Sequence, residues 1–169
     1  MKSVYLVLLA ALVSLPSMAQ VRVEPHPDQQ ALLASDDSQL AANKQVVYDF
    51  WRYALIGRNM EMAQQFMHED YIQHNPNIPT GRAPFVAFFG SMEQQPVPDD
   101  IPGLVSLTAE GDLVTLSFVR ECEDPRNDGE TYTTTWFDMF RVEDGVITEH
   151  WDYGTVGGEG NPPDCARAQ

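Results

Sequence analysis

From Leu104 onward the apolar residues of this chain fall on every second position, in two pairs of runs that meet at glycine-containing turns. LVSLTAEGDLVTLSFVREC alternates on both sides of Gly111-Asp112, and TYTTTWFDMFRVEDGVITEHWDYG alternates around Glu143-Asp144-Gly145. A period of two broken by such turns specifies antiparallel hairpins. Upstream the period is helical. Ser38 is expected to cap a helix to about Gly57, with Leu40, Asn43, Val47, Phe50, Trp51, Ala54 and Leu55 near one face. Asn59 caps a short second helix with Ala63, Phe66 and Met67 inward. Thr80 begins a third, with Pro84 in the first turn, where a missing N–H costs nothing, and Phe85, Phe88, Phe89 and Met92 as its apolar face. DYIQHNPNIP reads as the loop between the second and third helices. Three helices followed by an antiparallel meander predict an α+β domain in which the helices cover one face of the sheet.

The two ends have a different character. MKSVYLVLLAALVSLPSMAQ joins a lysine, an apolar run from Val4 to Leu15 and the small-residue site Ser17-Met18-Ala19, the pattern of a secretory signal peptide. The run is too short for a permanent bilayer span. Residues 1–19 are therefore read as signal peptide, 20–37 as a polar, flexible lead-in, 38–156 as the domain and 157–169 as a glycine- and proline-rich tail. The implied location is periplasmic or secreted, with no stable membrane anchor after cleavage. There, Cys122 and Cys165 are expected to form a disulfide that ties the tail to the domain. Two cysteines so far apart make no metal site, and His26, His68, His74 and His150 lack zinc-site spacing, so neither a metal nor a cofactor is expected. A formal net charge of −15 repels nucleic acid and anionic lipid.

The last hairpin carries the chemistry. A three-residue loop with Gly145 at the bulge position would pair Val142 with Val146, Phe140 with Thr148, Asp138 with His150 and Trp136 with Asp152. One face then holds Trp136, Asp138, Phe140, Thr148, His150 and Asp152; Phe137, Met139, Ile147, Glu149 and Trp151 lie on the other. A carboxylate half-surrounded by aromatic rings becomes a stronger base, and a histidine partner tunes it. Such a face can transfer protons, or it can be a solvated face with an Asp–His ion pair; Trp136 and Phe140 favour the first. His74, Tyr71 and Gln73 bring further hydrogen-bonding groups, for a pocket rim or for bracing a turn, and Asn75-Pro76 is a turn signal. Arg82 is expected to pair with the acidic surface.

ANKQVVYDFW, EDYIQHNPNIPTGRAPFVAFF and FDMFRVEDGVITEHWDY, within residues 40–155, resemble the SnoaL-like polyketide cyclase family of the nuclear transport factor 2-like superfamily. The resemblance implies a cone of helices wrapped on a curved sheet, with a pocket between them for a small, largely apolar ligand, and a homodimer formed through the sheet's outer face. It implies an aspartate general base in an intramolecular aldol condensation without cofactor, at the position of Asp152. Asp138 stands where these cyclases have a histidine and Trp136 where they have a glutamine, while Gln73 matches the amide that follows the loop tyrosine. Asp138, His150 and His74 are then the polar partners of Asp152, and Tyr71, Gln73, Trp136, Phe140, Trp51 and Phe89 the ligand contacts. Related cones open epoxides with an Asp–Arg–Asp set; Trp136 occupies the arginine's place, leaving Arg120 as the available substitute. A non-catalytic ligand-binding or dimerisation module of the same fold is the alternative.

Overall fold

The computed structural model describes residues 20–156 and 165–167; the segment read as a signal peptide (1–19) and most of the tail (157–169) lie outside the described residues. The lead-in, expected to be flexible, is tied down. Gln20 Nε2 donates to the Thr133 carbonyl, Val23 N–H to Thr133 Oγ1 and His26 N–H to the Leu104 carbonyl. A short helix, α1 (Gln29–Leu33), follows. The buried Gln29 donates to the Ile101 carbonyl and accepts from Ile101 N–H and Tyr48 OH. Lys44 Nζ reaches back to the Leu32 and Ala34 carbonyls, at 2.8 and 2.7 Å. Polar side chains thus anchor this segment, which hides it from any hydrophobic pattern.

α2 (Ser38–Phe50) is capped by Asp37 rather than Ser38: the carboxylate accepts from Gln39 and Leu40 N–H and satisfies donors that a helix start leaves unpaired. The helix runs on into a π-helical segment, Trp51–Ile56. α3 (Met60–Phe66) is capped by Asn59, as expected. Met67 is buried but begins a strand. That strand, β1 (Met67–Gln73), takes in Asp70–Gln73 and corrects the reading of that part as loop, while His74, Asn75 and Pro76 lie in the expected loop. Only Met67, Tyr71 and Gln73 of β1 are buried, too few apolar residues to reveal a period. α4 (Arg82–Gly90) follows, with Pro84 in its first turn. Arg82 donates to the Met67 carbonyl at 3.0 Å instead of pairing with surface acids.

The sheet contains β2 (Leu104–Glu110), β3 (Leu113–Glu123), β4 (Thr131–Glu143), β5 (Val146–Trp151) and β6 (Cys165–Arg167). Its order is β1-β5-β4-β3-β2, with β6 also on β3. The meander is antiparallel; β1 joins it in parallel beside β5, so the α+β sheet is mixed at that edge. The helices pack on one face. Phe50 sits at the centre of that interface, with ring centroids 6.4 Å from Phe66, 5.9 Å from Phe85 and 5.8 Å from Phe140.

The β4–β5 turn has two residues, not three. Glu143 pairs with Val146, and both Asp144 (φ 50°) and Gly145 (φ 79°) are left-handed, the type I′ requirement that aspartate–glycine meets. Val142 then pairs with Ile147 but Arg141 with Glu149, so Thr148 is an extra residue, a β-bulge. The expected register is therefore corrected: Phe140 opposes His150, and Met139 opposes Trp151. The bulge also exchanges Ile147 for Thr148 on the core face while keeping His150 there.

Cys122 and Cys165 are joined by a disulfide across the β3–β6 pair, 43 residues apart in sequence. Closing a loop of that length stabilises a fold by about 2–4 kcal/mol. The Cys122→Ser/Cys165→Ser double variant is expected to lower the unfolding free energy in urea by that amount with the far-ultraviolet spectrum retained.

Candidate active site

Three strands bring the polar residues to one place. On β1, Tyr71 and Gln73 face inward, with Ile72 between them facing out. Gln73 lies beside His150 of β5, and His150 opposite Phe140 of β4. Gln73 Nε2 donates to Tyr71 OH at 3.0 Å. His150 Nδ1 lies 2.9 Å from Gln73 Oε1, and its Nε2 3.1 Å from Asp138 Oδ1. The imidazole stacks on Phe140 with centroids 4.4 Å apart. Asp152 follows the end of β5: Oδ2 accepts from Asn75 Nδ2 and Oδ1 from Gly154 N–H, both at 2.7 Å. A β-carbon at residue 154 would overlap the Asn75 side chain, so a larger residue there would push Asn75 from its place beside Asp152.

These groups form the floor of a cavity of about 300 Å³. Its walls are apolar: Phe50, Trp51 and Leu55 from α2 and the π-helical segment, Phe85, Phe88 and Phe89 from α4. The π-helical segment widens the helix by one residue per turn. Trp51 stacks on Phe118 at 4.5 Å. The Asp138 and His150 side chains are 93% removed from solvent. One donor atom from each of Asp138, His150 and Asp152 lies within 4.8 Å of the others, so two carboxylates and an imidazole address one point.

Of the residues singled out in the sequence, Asp138, His150, Asp152, Tyr71, Gln73, Phe140, Trp51 and Phe89 line this cavity. His74 does not, which corrects its assignment as a polar partner of Asp152. Strand alternation turns it out, where it stacks on Trp151 at 5.1 Å and meets Glu149 Oε1 at 2.7 Å. Burial pushes the Glu149 carboxyl up, but hydrogen bonds from His74 and Arg141 outweigh it and hold the group below the usual glutamate range. Trp136 is also displaced from its expected role as ligand contact. It lies one pleat beyond Asp138, stacked under the Arg120 guanidinium (3.7 Å to the ring centroid) and against Tyr153. Arg120 and Trp136 border a neighbouring groove instead, which Asp152 also lines. Asn75 was legible only as a turn former. Its Oδ1 does accept from Asn77 N–H, and nothing in the sequence shows that its amide nitrogen holds Asp152.

The profile of the SnoaL-like domain family matches residues 47–150. The chain belongs to the SnoaL-like domain family. An LEH-like epoxide hydrolase from M. tuberculosis superposes on this SnoaL-like chain with a TM-score of 0.51 at 15% identity, over 72% of this chain and 84% of that one. A candidate polyketide cyclase from Xanthomonas campestris pv. campestris gives 0.47 at 24% identity, over 71% and 95%. A candidate SnoaL-like polyketide cyclase from Jannaschia sp. CCS1 gives 0.47 at 15%, over 69% and 88%. At these identities the likeness is one of fold alone. No curated protein matches the chain in sequence.

Burial, and then the negative charges of Asp152 and Asp138, push the Tyr71 phenol well above its ordinary value of 10. The unfolded chain loses that proton first as pH rises, so the contribution of Tyr71 to stability is complete below pH 10 and falls above it. The melting temperature of the wild type is expected to drop more steeply between pH 10 and 11 than that of Tyr71→Phe.

Proposed function

We propose that this SnoaL-like protein is exported, binds a small, largely apolar molecule, and acts on it by cofactor-independent proton transfer with Asp152 as general base. The observation that carries this reading is the composition of the cavity: aromatic walls and a floor on which two carboxylates and an imidazole converge. Apolar walls select the ligand and exclude water; a few convergent polar groups orient it. At about 300 Å³ the cavity is at the small end of ligand sites. Asn75 and Gly154 each donate one hydrogen bond to Asp152, which fixes the carboxylate and leaves other lone pairs to take a proton. A lyase, isomerase or aldol-type reaction begins with that abstraction. Export is supported by the N-terminal apolar run and by the Cys122–Cys165 disulfide. Phe137, 57% exposed on the outer side, supports a homodimer through that face.

Opening an epoxide needs an arginine between the carboxylates, and Arg120 shares the neighbouring groove with Asp152 alone, not with Asp138. Stereoselective deuterium exchange into small aryl ketones, followed by NMR, tests the base. Asp152→Asn is expected to bind the same ketones while the exchange rate falls by about 10²–10⁴. His74→Ala should exchange at the wild-type rate, because His74 faces outward. Wild-type exchange by Asp152→Asn would remove Asp152 from the mechanism. Saturable uptake by the wild type with no exchange would make the domain a binder.

A further inference from the structure

Beside the base, the cavity floor contains an Asp–His pair whose hydrogen-bond donors and acceptors can be assigned from geometry. Gln73 Oε1 lies 2.9 Å from Asn75 N–H, a backbone donor that can only donate. The side-chain amide is thereby pinned with its oxygen, not its nitrogen, toward Asn75. The same oxygen is the atom 2.9 Å from His150 Nδ1. A carbonyl oxygen can only accept, so Nδ1 must carry a hydrogen. The amide nitrogen then donates to Tyr71 OH at 3.0 Å, so both ends of the Gln73 amide are used. With Nδ1 protonated, the neutral imidazole presents a lone pair at Nε2, aimed 3.1 Å away at Asp138 Oδ1. An ionised carboxylate facing a lone pair repels it. The contact is a hydrogen bond only when a proton lies between the two atoms, as a carboxylic acid facing imidazole or as a carboxylate facing imidazolium.

We propose that Gln73, oriented by the Asn75 N–H, holds His150 as its Nδ1–H form, so that the Asp138–His150 pair carries one proton which the site delivers to a carbonyl oxygen of its substrate. The inference rests on the proposed acid–base reading and names the substrate class, an enolisable ketone or ester. Asp152 takes the α-proton, and the C–H electron pair becomes the C=C bond of the enol. The carbonyl π pair takes the proton held between Asp138 and His150. The reverse sequence restores both groups, so no oxidant, reductant or metal is consumed. Asp138 and His150 line the cavity and are the catalytic acid; Gln73 acts through His150 and is a positioning residue.

The titratable groups facing the pair are Tyr71 from β1 and Asp152 after β5. α2, its π-helical continuation and α4 contribute Phe50, Trp51, Leu55 and Phe85 to the surroundings, and these are uncharged. Tyr71 stays neutral under ordinary conditions and cannot supply the balancing negative charge.

Nitrogen-15 NMR of the histidine-labelled protein, purified with chelator, reads this directly at pH 7 without any substrate. The expected His150 signature is a protonated Nδ1 together with a far-downfield proton shared with Asp138. Gln73→Leu removes the acceptor and should convert His150 to the neutral Nε2–H form, lowering ketone exchange at least tenfold. Gln73→Glu keeps an acceptor for both N–H groups and should restore the Nδ1–H signature. A neutral Nε2–H form in the wild type overturns the proposal, even if Gln73→Leu fails to fold. Replacement of the shared proton by one equivalent of zinc chloride at micromolar concentration would also overturn it, assigning the three donors to a metal. If the wild-type signature is present but no ketone exchanges, the proton inventory stands and the reading of Asp152 as base fails.

Discussion

The bulge at Thr148 sets the phase of β5, and the cavity floor depends on that phase. Ile147 and His150 are three residues apart, yet both point into the core. Regular alternation would allow one of them at most. Near the turn the strand must bury Ile147 beneath the sheet; farther along it must present His150 to Gln73 and Asp138. One inserted residue reconciles the two demands, and the local kink directs the strand end, with Asp152, toward Asn75.

The floor is then held by a chain of contacts that crosses three strands. Tyr71 and Gln73 come from β1, His150 from β5 and Asp138 from β4, and each hands its hydrogen bond to the next. Buried polar groups are tolerated when their donors and acceptors are matched. Here they are matched mainly by one another, which fixes rotamers within an otherwise aromatic shell. Parallel addition of β1 beside β5 makes this possible, because it places Gln73 directly next to His150.

Much of this was legible in the sequence. The strands β2 to β5 announced themselves through alternation, and Asn59 and Pro84 marked helix starts by their own local chemistry. Asp138, His150 and Asp152 were placed on a common face although the register was wrong. The shorter turn and the unseen bulge together shift the register by two residues from Arg141 onward, which changes the cross-strand partners but leaves every side chain on its expected face. The misses have physical causes. β1 is a half-polar edge strand with little apolar signal, so Tyr71 and Gln73 looked like loop residues and His74 like their companion. Trp136 shares the face of Asp138, but alternation says nothing about how far along a strand a cavity extends. The contact of Asn75 with Asp152 spans 77 residues and leaves no local trace.

The two halves of the cavity come from different parts of the chain. Its walls belong to α2, the π-helical segment and α4, whereas its floor belongs to β1, β4 and the end of β5. Side chains such as Leu55 and Phe89 can therefore be exchanged without touching any residue that handles a proton. Substitution there redraws the shape of the accepted guest, and the reactive machinery below is inherited unchanged. Divergence of molecular repertoire and preservation of chemistry are thereby uncoupled within a single small domain.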